Sequence, residues 1–127
     1  MPQQDVGCRG YSGRMASDLA AMSRAHEHFD PIAQRELALP DVDMGRMFST
    51  DGLRIRGKVF AFVSHDGTLI VKLPQARIDG LIASGGAARM TMRGREMREW
   101  ATVDIADAAT WPALVAEARE FVASLTA

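Results

Sequence analysis

The chain has 127 residues, 47% of them apolar and 24% charged, with a formal net charge of −1. That profile is one globular domain with a real hydrophobic core, and it excludes a disordered chain. The longest apolar runs, such as Val59 to Val63, fall far below the roughly 20 residues of a membrane-spanning helix.

Taken in chain order, residues 1–16 read as an untethered tail. They are rich in Gly, Gln and Ser and contain no apolar stretch of the kind a secretory leader needs. Met15 and Met22 are alternative starts, and a single domain is expected over 17–127. The lone Cys8 excludes an internal disulfide and a cysteine zinc framework, and it fits a reducing cytoplasm, the expected location. Ser17 caps a first helix in which Leu19, Met22 and the alanines recur at helical spacing. Asp30-Pro31 supplies a capping side chain followed by a proline at a first helical position, so a second short helix is expected from Pro31 to before Pro40.

The period then changes to two. Leu53 and Ile55 face one way, Arg54 and Arg56 the other, as in a half-buried strand. The run Lys58 to Ser64 is apolar on both faces, as in a central strand or one covered on both sides. Asp66-Gly67 predicts a two-residue hairpin, and Thr68 to Leu73 a third strand. Pro74 opens a helix with an Ile78, Leu81, Ile82 face and a left-handed stop at Gly85-Gly86. Two more strands follow, "AARMTM" and "REWATVDI", joined by a turn at Gly94. Finally Thr110 caps a helix whose apolar stripe includes Trp111, Leu114, Val115, Ala118, Phe121, Val122 and Leu125. The predicted order is ααβββαββα: an α+β domain with an antiparallel sheet of about five strands, a meander plus a hairpin, flanked by helices.

Catalytic signatures are not found. Gly52 to Lys58 reads G-x-x-x-x-G-K, one residue short of a phosphate-binding loop, but Val59 stands where a hydroxyl must hold Mg²⁺ and the intervening residues alternate as a strand. The better reading is a hairpin turn at Gly57 with Lys58 opening the next strand. His26 and His28 are two apart and cannot share a helix face as metal ligands, and His65 falls in a turn with no identifiable catalytic partner. No metal, cofactor or catalytic residue is assigned. Phe48, Phe60, Phe62, Trp100, Trp111 and Phe121 read as core before they read as a stacking surface, and Met44, Met47, Met90, Met92 and Met97 read as core fillers.

Charge is unevenly distributed. Ten basic residues stand against four acidic ones from Arg46 to Arg98, so the flanks carry the negative balance. Within that stretch Arg54, Arg56, Lys58, Arg89, Arg93, Arg95 and Arg98 are the candidate contacts to an anionic partner, with Arg89, Thr91 and Arg93 expected on one strand face. Pairing of Arg93, Arg95 or Arg98 with Glu96 and Glu99 is the competing explanation.

The order and spacing of several short runs add a family resemblance. "GRMFSTDGLRIRGKVFAFV", "LIVKLPQARIDGLIASGGA", "GREMREWATV" and "WPALVAEAREFVASL" together resemble the TfoX N-terminal-domain-like family, related in fold to MmcQ/YjbR-like proteins, over Val42 to Leu125. The matching positions are Met47-Phe48, with Ser49 in place of the family's glycine, then Gly57, Lys58, Phe60 and Ala61, then Val71, Lys72 and Leu73, and finally Gly94, Arg95, Met97, Glu99 and Trp100. The resemblance implies a compact α+β domain and supplies no catalytic mechanism, stand-alone members generally having no assigned activity.

The expected function is a small cytoplasmic, non-enzymatic binding or regulatory module with a basic face for an anionic partner such as nucleic acid. The alternatives are a protein-interaction or homodimerisation domain using an uncovered sheet face, and an enzyme on a small molecule. Interleaved acids on the basic surface would weigh against nucleic acid.

Overall fold

A computed structural model of the chain describes residues 11–47, 50–92 and 94–126. Its elements are α1 (Tyr11–Leu37), β1 (Val42–Met47), β2 (Thr50–Ile55), β3 (Lys58–Val63), β4 (Leu69–Lys72), α2 (Gln75–Ser84), β5 (Ala88–Met92), β6 (Arg95–Val103), a 3₁₀ turn (Ile105–Thr110) and α3 (Trp111–Thr126). The six strands form one antiparallel sheet in the order β1-β2-β3-β4-β6-β5. The fold is thus α+β, as the change of period along the chain predicts.

Two details differ from expectation at the start. The two predicted helices are one, running through Pro31 from Tyr11, so Ser17 lies inside it and residues 11–16, read as tail, are helical, while residues 1–10 lie outside the described residues. Proline removes one helical hydrogen bond and crowds the preceding turn. Ala25, Phe29, Ile32, Ala33 and Glu36 nevertheless form one buried stripe spanning it, and burial of that face holds the helix continuous. Strand β1 was not anticipated, because "VDMGRM" has little of the alternation that marks a strand. Its register is supplied by β2, from Val42 opposite Ile55 to Met47 opposite Thr50.

Both turns of the meander depend on glycine, in different ways. Arg56 and Gly57 both have positive φ, +52° and +82°, and Ile55 pairs with Lys58 across them, a two-residue hairpin of the type that matches strand twist. At the next turn Ser64 N–H donates to Thr68 O (2.9 Å) and Gly67 N–H to Ser64 O (3.0 Å). The loop is therefore the three residues His65-Asp66-Gly67, and only Gly67 has positive φ. This corrects the expected two-residue turn. Asp66 acts through its side chain instead, accepting from the Ser64 hydroxyl, the Thr68 hydroxyl (2.9 Å) and the Thr68 N–H (3.3 Å). Those bonds, the Ser64 hydroxyl foremost, hold its carboxyl below the ordinary value of 3.8 despite partial burial, which pushes the other way. A carboxyl that titrates lower when folded contributes stability above its unfolded pKa, and that contribution is lost as pH falls through the folded value. Asp66→Asn is expected to lose under about 1 kcal/mol at neutral pH. Thermal melts taken downward to acid should show a shallower decline for the variant; an identical acid limb would contradict this role.

Helix α2 ends as predicted. Gly85 is left-handed, and the N–H groups of Gly85 and Gly86 return to Ile82 O and Leu81 O, closing the helix by paired bonds to its last turn. The last helix starts differently from expectation. Thr110 does not cap α3; its hydroxyl donates to Asp107 O, and Asp104 caps the preceding 3₁₀ turn by accepting from Ala106 N–H at 3.1 Å.

The core lies on one face of the sheet. Residues directly opposite on paired strands share a face, so Leu53, Ile55, Ala61, Val63, Leu69, Val71, Ala101 and Val103 point together. They form a single cluster with Phe29 and Ile32 of α1, Ile78 of α2, and Trp111, Leu114, Val115, Ala118 and Val122 of α3. All three helices therefore cover that face.

Candidate functional site

The opposite face of the sheet carries none of the described helices. Register places Arg54, Phe62, Ile70, Lys72, Trp100 and Thr102 on it. A β-bulge between Leu53 and Arg54 of β2, opposite Val59 and Ala61 of β3, turns Val59 to this side while Phe60 stays in the core. Val59, Phe62 and Trp100 are half-buried. Ile70, only 2% exposed, is among the described residues the one buried apolar residue outside the main core cluster. The Phe62 and Trp100 rings meet edge to face, 6.0 Å between centroids, the arrangement their quadrupoles favour. Lys72 Nζ stands 5.4 Å from the Trp100 ring centre, within range of a cation–π contact. Strand β3 was read as central or covered on both sides; it is central, with one side open.

The structure separates the seven basic candidates. Arg54 reaches across Gly45 to Asp43 in a two-pronged ion pair, Nε to Oδ1 at 3.0 Å and Nη2 to Oδ2 at 2.7 Å. A Cβ on Gly45 would lie 2.3 Å from the Arg54 Nε, so this glycine leaves room for the crossing. The pair lowers the Asp43 carboxyl and raises the Arg54 guanidinium, the hydrogen bonds between them being the largest cause of each. Arg56 is in the turn, not on the strand face, and approaches Asp41 Oδ2 and Ala123 O, both at 3.4 Å. Arg89 lies on the helix side: its strand opposes Ala101, and its guanidinium donates to Asp79 of α2 at 2.8 Å with the side chain 17% exposed. The shift of register between Arg89 and Thr91 breaks the alternation that would have aligned Arg89, Thr91 and Arg93, and Arg93 itself lies outside the described residues. Among the described residues Lys58, Arg95 and Arg98 have no ion pair, and the expected pairing of Arg95 or Arg98 with Glu96 or Glu99 does not occur.

Acids are thus interleaved with half of the ten basic residues of this stretch. Asp43, Asp41, Asp79 and Glu117 take Arg54, Arg56, Arg89 and Arg77, and Glu99 lies 3.8 Å from Lys72. Each carboxylate cancels nearby charge that a polyanion would otherwise meet. The histidines serve the fold's surface: His26 Nδ1 is 3.0 Å from Asp30, and His28 packs edge-on to Trp111. Among the described residues no three His, Cys, Asp or Glu side chains gather to hold a metal ion, and no helix is long and apolar enough to cross a membrane.

Val59, Phe62 and the exposed Leu125 were not read from the sequence as surface, because apolar residues at strand and helix spacing are assigned to the core first. Their position depends on which sheet face the helices choose. Of the aromatics, Phe60 and Trp111 are core as expected, while Phe62 and Trp100 belong to the open face. Comparisons with family models, curated proteins and solved structures found no match to this chain.

Proposed function

We propose that the protein is a non-enzymatic binding or regulatory module that meets a protein partner, in the simplest case a second copy of itself, through the open sheet face centred on Phe62 and Trp100. The observation that supports this reading is the combination of an aromatic pair at the centre of an uncovered face with Arg54 on that face already paired to Asp43 and Lys72 lying beside Glu99. Protein interfaces place aromatics and Arg in a desolvated centre with a polar rim. A surface whose own acids neutralise its arginines is complementary to a second surface of mixed charge. The motif resemblance to the TfoX N-terminal-domain-like family is part of the same proposal, and a cytoplasmic setting goes with it.

Light scattering and NMR over a concentration series test it. Association that broadens resonances of Phe62 and Trp100, and that is weakened about tenfold or more by Phe62→Glu, is the expected result. A strict monomer at high concentration with an unperturbed sheet face would sink the self-association form.

A second reading, contact with nucleic acid, is favoured by Lys58, Arg95 and Arg98, which form no ion pair among the described residues. Three phosphate contacts predict a salt slope no steeper than about −3. Absence of binding at low ionic strength removes this reading.

A further inference from the structure

We propose that a cleft at one end of the sheet, lined by Lys58, Val59, Lys72, Trp100, Val122 and Leu125, is a binding site for a small amphipathic carboxylate. The cleft measures about 410 Å³, within the range of roughly 300–1,000 Å³ that small-molecule sites occupy. Its origin is topological. Strand β4 is four residues long and its pairing with β3 stops at Ala61 opposite Val71. Beyond that point β3 is bulged towards β2, while Leu73 continues to pair with β6 through its N–H to Glu99 O at 3.0 Å. The two strands diverge, and the last turns of α3 close the gap from the other side with Val122 and Leu125.

The lining divides chemically into two parts. Val59, Trp100, Val122 and Leu125 are apolar, and Leu125 is 58% exposed, so a ligand's apolar body would remove it from water. Lys58 and Lys72 bring two ammonium groups, and among the described residues no carboxylate lines the cleft. Lys58 has no ion pair among the described residues. Lys72 lies 3.8 Å from Glu99, beyond hydrogen-bond length, so its donors remain available to an anionic head group. A neutral ligand would leave these donors without an acceptor, and an inorganic anion would leave the apolar lining unused. An aliphatic or aromatic acid satisfies both.

Octanoate, octanol and inorganic phosphate are the probes, followed by Trp fluorescence and by NMR shifts of the intact chain. Trp111 is fully buried in the core, so the Trp100 environment reports the cleft. Saturable binding of octanoate is expected, with octanol about tenfold weaker and phosphate without effect on Trp100, as loss of one charge-assisted contact or of the apolar body implies. Lys58→Gln and Lys72→Gln should each weaken octanoate several-fold, with Trp111 signals unchanged as the check on folding. Equal binding of octanol and octanoate, a phosphate response matching that of octanoate, insensitivity to both lysine variants, or no saturation at millimolar octanoate would each overturn the proposal. Thr102→Glu, which charges the open face but does not line the cleft, should weaken self-association and leave octanoate binding intact, so failure of the docking reading and failure of this one are separately visible.

Discussion

Gly67→Ala is expected to destabilise the protein far more than Gly57→Ala, although the two glycines have nearly the same backbone conformation, φ +84° and +82°. A left-handed alanine costs roughly 1–2 kcal/mol at either position. At Gly57 a Cβ meets nothing within 4 Å, whereas at Gly67 it would stand 2.6 Å from the Ala21 carbonyl oxygen of α1. That neighbour is helix backbone and cannot swing aside, so α1 or the β3–β4 hairpin must move. Overpacking of this kind adds about 1–3 kcal/mol, giving a total of about 2–5 kcal/mol for Gly67→Ala against about 1–2 for Gly57→Ala. Thermal or urea unfolding of the two variants measures the difference directly. Because the φ strain is common to both, subtraction isolates the close approach of turn to helix. Equal losses would mean that this approach does not exist in solution.

Breaking the ion pair that joins α1 to α3 should rank with it. Glu36 is 1% exposed, the one buried charged residue in the described core, and its Oε1 accepts from Arg119 Nη1 at 2.8 Å while Oε2 lies 3.3 Å from Arg35. Arg35 also donates to Pro112 O at 3.0 Å, which fixes the start of α3 against the end of α1. Arg119→Met leaves the Glu36 carboxylate buried beside a single, mostly exposed arginine. The expected cost is about 2–4 kcal/mol, somewhat below that of a fully dry pair because Arg119 is 20% exposed. The double variant Glu36→Leu with Arg119→Met removes the stranded charge and should be more stable than Arg119→Met alone. A double variant whose loss is simply the sum of the two single losses would show that the pair is not coupled.

Neither of these interactions was legible in the sequence, for reasons that differ. Asp66-Gly67 marked a turn correctly, since an Asp side chain and a left-handed glycine are local chemistry. What Gly67 touches depends on α1 lying across the hairpin, and nothing in a five-residue window encodes that. Nothing local marks Glu36 for burial; only the crossing of α1 and α3, 83 residues apart in the chain at the Glu36–Arg119 contact, makes it buried. The arginines show the same limit from the other side. Alternation correctly put Arg54 on the face away from Leu53 and Ile55, yet its partner Asp43 sits on a strand whose sequence has almost no strand signal. Arg89 was drawn to the helix side because α2 crosses back over β5 and β6 and brings Asp79 within reach.

Local preferences alone determined that this chain alternates helical and two-residue periods, turns at Gly57, Gly67, Gly85 and Gly94, and buries Leu53, Ile55 and the α3 stripe at Trp111, Leu114, Val115, Ala118 and Val122 but not at Leu125, because glycine dihedrals and apolar spacing act within a few residues. The side of the sheet on which the helices pack was decided by tertiary structure, since Lys58 to Val63 is apolar on both faces and either would serve. That choice, together with the early end of β4, buries Phe60 and leaves Phe62 and Trp100 open. It also brings Lys58 and Lys72 to one cleft and joins Arg54, Arg56, Arg77 and Arg89 to carboxylates ten or more residues away in the chain.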